Sequence, residues 1–123
     1  MPLVAFAGLP DDARVWVFGS ADELSPDSAA TLITEVDAYL DDWRAHGSPL
    51  TVARDWRHQR FLTIAVDQRD KNASGCSLDA LFRVLQSLER RIGSPLLGNA
   101  RVYYRSADGS IHVTDRAGFA SLA

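Results

Sequence analysis

The segment Gly75-Cys76-Ser77 holds the side chain with the clearest potential for chemistry, the thiol of Cys76. A helix is predicted to begin at Ser77, and the free N–H groups of a helix start stabilise a thiolate. His46 is a candidate base toward this thiol, and Asp79 or Asp67 could orient the histidine. The sequence therefore predicts a catalytic group made of Cys76, His46 and Asp79.

The same helix start also predicts a site for a small anionic ligand. First-turn N–H groups bind phosphate or carboxylate, so Ser74, Gly75 and Ser77 are the candidate ligands. In a third interpretation Cys76 is a small buried side chain, Ser77 is the helix cap and His46 interacts with a helix C-terminus. The sequence leaves all three interpretations open.

Missing motifs exclude several reaction classes. Lys71 is followed by Asn72 and has no glycine before it, so no P-loop for nucleotide hydrolysis is present. Neither Gly-x-Ser-x-Gly nor His-Glu-x-x-His occurs. Cys76 and His46 lack the paired spacing of a zinc site, so we expect no metal and no cofactor.

The elements that must position these residues predict an α+β fold. Ser25-Pro26-Asp27 is a strong helix start, and Gly47 with Pro49 is predicted to end that helix. Asp108-Gly109 predicts a hairpin turn. Strands are predicted at 14–18, 50–56, 61–66, 101–105 and 111–114, and the second helix at 77–92.

This order, βαββαβ plus a C-terminal hairpin strand, predicts a ferredoxin-like split βαβ sandwich. One antiparallel sheet would carry both helices on one face, because the crossovers are right-handed. That topology brings the end of the first helix, the end of the third strand and the start of the second helix to one edge. His46, Asp67 and Cys76 would share this edge, while His58 would lie at the opposite one.

A sheet covered on one face leaves some aromatic rings on the other. Alternation places Trp16 and Phe61 on the open face and Val17, Leu62 and Ile64 in the core. A large exposed apolar patch favours association, so we expect a homodimer through the open sheet face. Alternatively, the chain ends at 3–9 or 119–122 fold over it. The six candidate rings are Trp16, Phe18, Trp56, Phe61, Tyr103 and Tyr104.

Composition limits the remaining classes. The 123 residues suggest one α+β domain over 1–123. The net charge of −3, with Lys71 as the single lysine, argues against nucleic acid as a partner. No apolar run is long enough to span a membrane, and the start of the chain lacks the features of a secretory signal. One cysteine permits no intrachain disulfide, so we expect a cytoplasmic protein.

Several segments together resemble a family of small bacterial proteins of unknown function. They are Leu9-Pro10-Asp11 before Arg14-Val15-Trp16, Trp43-x-x-His46-Gly47, Arg60-Phe61-Leu62 with Ile64-Ala65-Val66-Asp67, and Ala73-Ser74-Gly75-Cys76-Ser77-Leu78-Asp79. The resemblance covers residues 9–104. Members often carry the label "ABC transporter ATPase", which the missing P-loop contradicts here. The resemblance therefore implies no established activity, although its signature residues fall largely on the edge described above.

Two functions follow as expectations. The first is a small non-enzymatic, self-associating binding or regulatory domain, because the sheet face is open and no strong catalytic motif is present. The alternative is a cysteine-dependent enzyme or redox-sensitive protein that uses Cys76 at a helix N-terminus.

Overall fold

The computed structural model describes residues 3–45, 47–69, 72–97 and 101–122. These residues form a mixed α+β structure with antiparallel sheets, which confirms the predicted class. None of their helices is long and apolar enough to cross a bilayer. The strands are β1 (Arg14–Gly19), β2 (Arg44–Ala45), β3 (Ser48–Pro49), β4 (Val52–Arg57), β5 (Phe61–Val66), β6 (Val102–Arg105) and β7 (Ile111–Thr114). The helices are α1 (Pro26–Leu40), α2 (Gly75–Ile92) and α3 (Arg116–Leu122).

Helix α1 begins where the sequence predicts and ends earlier. The Ser25 Oγ accepts a hydrogen bond from the Ser28 N–H at 3.2 Å, and Pro26 opens the helix. The helix stops at Leu40, not near Gly47, and the chain continues into the short β2–β3 hairpin. Trp43, predicted as part of the helical stripe, reaches the core from this segment and is 2% exposed.

Helix α2 starts earlier than predicted. The cap is Ser74, whose Oγ accepts a hydrogen bond from the Ser77 N–H at 3.1 Å. Ser77 is therefore the third helical residue, not the cap. The helix ends at Gly93, which adopts a left-handed conformation (φ 73°) that suits glycine.

The main sheet has β5 at its centre, in the order β1-β5-β4. Its register places Trp16 opposite Ile64 and Phe18 opposite Leu62. Both helices cover this side, because buried residues of α1 and α2 share one core with those of β5. The predicted core residues Leu32, Val36, Leu40, Leu62, Ile64, Leu81 and Leu85 are fully buried, and Phe82 is partly buried.

The complete ferredoxin-like split βαβ sheet is not confirmed, because its fourth strand does not join it. That arrangement needs the strand at β6 to pair beside β1, but β6 pairs with β7 in a separate sheet. Side chains hold the β6–β7 hairpin instead. The Tyr103 hydroxyl donates to the Ser20 carbonyl at 3.1 Å, and Arg101 Nη2 donates to the Gly19 carbonyl at 2.8 Å.

Candidate functional site

The end of the α1 segment and the start of α2 meet through a buried hydrogen bond. The Trp43 indole N–H donates to the Ser77 carbonyl at 2.9 Å. This contact brings together two of the segments that the topology argument places at one edge. His46, the predicted base, lies outside the described residues, so its position relative to Cys76 stays a prediction.

The hydroxyls of Ser74 and Ser77 are both used within the helix cap. The Ser77 Oγ donates to the Ser74 carbonyl at 2.8 Å, and the Ser74 Oγ donates to the Ser77 Oγ at 3.1 Å. Ser77 is also only 6% exposed. The first-turn N–H groups that this cap does not use belong to Gly75 and Cys76, both exposed. Anion binding at Ser74, Gly75 and Ser77 therefore depends mainly on backbone donors and stays a prediction.

Cys76 is exposed, so the interpretation of a buried packing residue is wrong. The reason is the earlier helix start, which turns Ser77 inward and Cys76 outward. Asp79 is exposed one helical turn after Cys76, and its role as the group that orients the histidine stays a prediction.

Asp67 is already engaged by a neighbour. Its carboxylate pairs with Arg69 at 2.7 Å, and hydrogen bonds from Arg69 hold the pKa of Asp67 below its ordinary value. An acid bound to a guanidinium in this way is a poor partner for a histidine. Within the described residues, no group of three or more His, Cys, Asp or Glu side chains could hold a metal ion.

The open face of the sheet carries valines from β1, not the predicted tryptophan. Val15 is 52% and Val17 is 62% exposed. Trp16 points to the helix side, where its ring packs edge-on against Trp43 with centroids 6.4 Å apart. The placement of Trp16 on the open face and Val17 in the core is therefore wrong. The size of the β1 side chains is the signal that could have predicted this arrangement. The rings of Trp16 and Phe18 bury more apolar area than two valines, which favours placing the rings toward the core.

Other parts of the open face are partly covered. The 3₁₀ turn Phe6–Gly8 lines a cavity with Val15 and Ala65, and Ala65 is buried. Phe61 lies on this face, as predicted, and packs against Tyr103 with centroids 4.9 Å apart. The proposed cover by the N-terminal segment is thus confirmed for one part of the face. Helix α3 packs Phe119 against Tyr104 of the hairpin instead.

Strand β1 also has an edge to which no strand pairs within the described ranges. The Ser20 N–H donates to the directly opposite Arg60 carbonyl at 2.8 Å. Hydrogen-bonded pairs alternate along an antiparallel ladder, so Phe18, Trp16 and Arg14 bond to β5. The N–H and C=O groups of Val15 and Val17 therefore point away from the sheet.

An apolar groove of about 480 Å³ lies beside this edge. It is lined by Val17, Phe18, Gly19, Phe82, Gln86, Leu96 and Leu97. In a four-stranded split βαβ sheet a further strand would lie next to β1. The groove therefore lies on the helix side, and the exposed valines on the open side, of a strand position next to β1 that no described strand occupies. We call Val15, Val17 and this free backbone edge the β1 surface.

No known protein family model, curated protein or solved structure matches this chain. The resemblance carried by the segment from Ala73 to Asp79 therefore stays a prediction.

Proposed function

We propose that this protein is a small non-enzymatic binding domain that acts through self-association at the β1 surface. The observation that supports this most is the exposure of two neighbouring valines, Val15 and Val17, on an edge strand. Exposed apolar patches on a sheet usually mark association. A homodimer in the cytoplasm is the state proposed here.

The β1 edge lacks the devices that normally protect edge strands. Proteins blunt such edges with lysine, proline, bulges or inward-pointing charges. The stretch from Val15 to Phe18 contains none of these. Arg14 precedes this stretch, and its guanidinium lies 4.6 Å from the Trp16 ring centroid on the helix side. The open side of the strand therefore presents only valine side chains.

Light scattering after size-exclusion chromatography, at micromolar concentration, tests this proposal. We expect the mass of a dimer for the unmodified chain and the mass of a monomer for Val17→Lys, because a lysine at the contact would have to be desolvated. Val4→Lys is the matched control, since Val4 is also exposed and lies off the β1 surface. A monomer at every concentration for the unmodified chain would overturn the proposal.

A second candidate function uses the exposed Cys76 in the first turn of α2, as a cysteine-dependent enzyme or redox-sensitive protein. Exposure next to helix N–H groups is what favours it. The test is the rate of alkylation by iodoacetamide near neutral pH. A functional thiol reacts faster than free cysteine, slows in His46→Ala, and is protected by inorganic phosphate if the anion site exists. A rate equal to that of free cysteine in all three conditions would reject it.

A further inference from the structure

We infer that two copies of the chain pair edge to edge through β1, as antiparallel strands about a two-fold axis at Trp16. The two three-stranded sheets then become one continuous sheet. This inference rests on the proposed function and names the geometry of the association.

The free backbone groups determine the register. A two-fold axis at Trp16 places Val15 of one copy opposite Val17 of the second copy. Val15 and Val17 both point their N–H and C=O groups outward, as the ladder with β5 requires. In this register each outward N–H of Val15 or Val17 faces an outward C=O of the other valine in the second copy, and the reverse.

Neighbouring registers need groups that are already used. An axis at Val15 would pair Ala13 with Val17, but the Ala13 N–H donates to the Pro10 carbonyl at 3.1 Å. An axis at Val17 would pair Val15 with Gly19, but the Gly19 carbonyl accepts from Arg101 Nη2 at 2.8 Å. Only the axis at Trp16 pairs both valines with groups that have no other partner in the described structure.

Charges at the two ends of β1 favour the antiparallel direction. Asp11 and Asp12 are exposed just before the strand, Arg14 at its first position lies over the Trp16 ring on the helix side, and Arg101 is bonded at its far end. Antiparallel pairing brings the acidic end of one copy to Arg101 of the other, whereas parallel pairing would bring like charges together. The valines of both copies then lie side by side on the same open face.

Hydrogen exchange of single amides, followed by NMR at protein concentrations below and above association, tests this geometry. We expect the protection of the Val15 and Val17 amides to rise by ~10-fold or more with association. The Trp16 and Phe18 amides are internal controls, because they already bond to β5. A dimer by light scattering whose Val15 and Val17 amides exchange as in the monomer would overturn edge pairing and leave the proposed function intact. Absence of a dimer would overturn both.

The charge contact has a separate test. Replacing Asp11 and Asp12 with arginine should raise the dimer dissociation constant by ~10-fold, measured by analytical ultracentrifugation. Asp27→Arg together with Asp42→Arg is the control with the same change of net charge, because Asp27 lies in the first turn of α1 and the exposed Asp42 follows α1, both outside the contact. If the two variants weakened the dimer equally, or if neither had an effect, the antiparallel direction would be contradicted.

Discussion

Replacing Phe18 or Val17 with alanine tests which side of β1 faces the core. The Phe18 ring is 8% exposed and packs edge-on against Phe82, with centroids 6.0 Å apart. Truncating such a ring costs ~3–5 kcal/mol in unfolding free energy. Because Phe18 borders a solvent-open groove of about 480 Å³, water can enter the space that is left. We therefore expect the lower end, ~3 kcal/mol.

Val17→Ala is the matched control, because its side chain is 62% exposed on the opposite face. We expect a loss of ~0.5 kcal/mol or less. Urea denaturation followed by tryptophan fluorescence gives both values, at a concentration where both proteins are monomeric. The alternation predicted from the sequence places Val17 in the core, so it requires Val17→Ala to cost more stability than Phe18→Ala. If Val17→Ala cost as much as Phe18→Ala, the assignment of the two faces would be wrong.

Three further predictions concern separate parts of the molecule. Cys76 should react with Ellman's reagent in the native state, because it is exposed; reaction only after unfolding would contradict this. Glu89→Ala should cost ~2 kcal/mol, since the carboxylate accepts hydrogen bonds from two backbone N–H groups beyond α2, and Glu89→Gln should cost less. His58→Asn with Gln59→Gly should raise the unfolding free energy by ~1 kcal/mol, because both residues have positive φ (56° and 57°) in a hairpin turn. Thermal unfolding measures the last two, and a lower Tm for the turn variant would refute the strain argument.

The sequence by itself determined the elements whose signals are local. The start of α1 at Ser25-Pro26, the bounds of β5 and the Asp108-Gly109 turn all agree with the structure. Caps, prolines and turn residues act through hydrogen bonds and backbone angles within a few positions, so they can be recognised without the rest of the chain. The error at the start of α2 is of the same local kind, because Ser74 and Ser77 are both good caps and only one of them can hold that position.

Only the tertiary structure decided which residues stay exposed and unpaired, and are therefore available for binding. The phase of β1 depends on the contact between Trp16 and Trp43, and the fate of β6 depends on the contacts of Tyr103 with Ser20 and Phe61. An alternating strand has two faces that local sequence describes equally well, and the core chooses the one that buries more apolar area. The exposed valines and the free edge of β1 follow from those distant contacts, which is why the sequence predicted an open face but placed Trp16 of β1 on it instead of the valines.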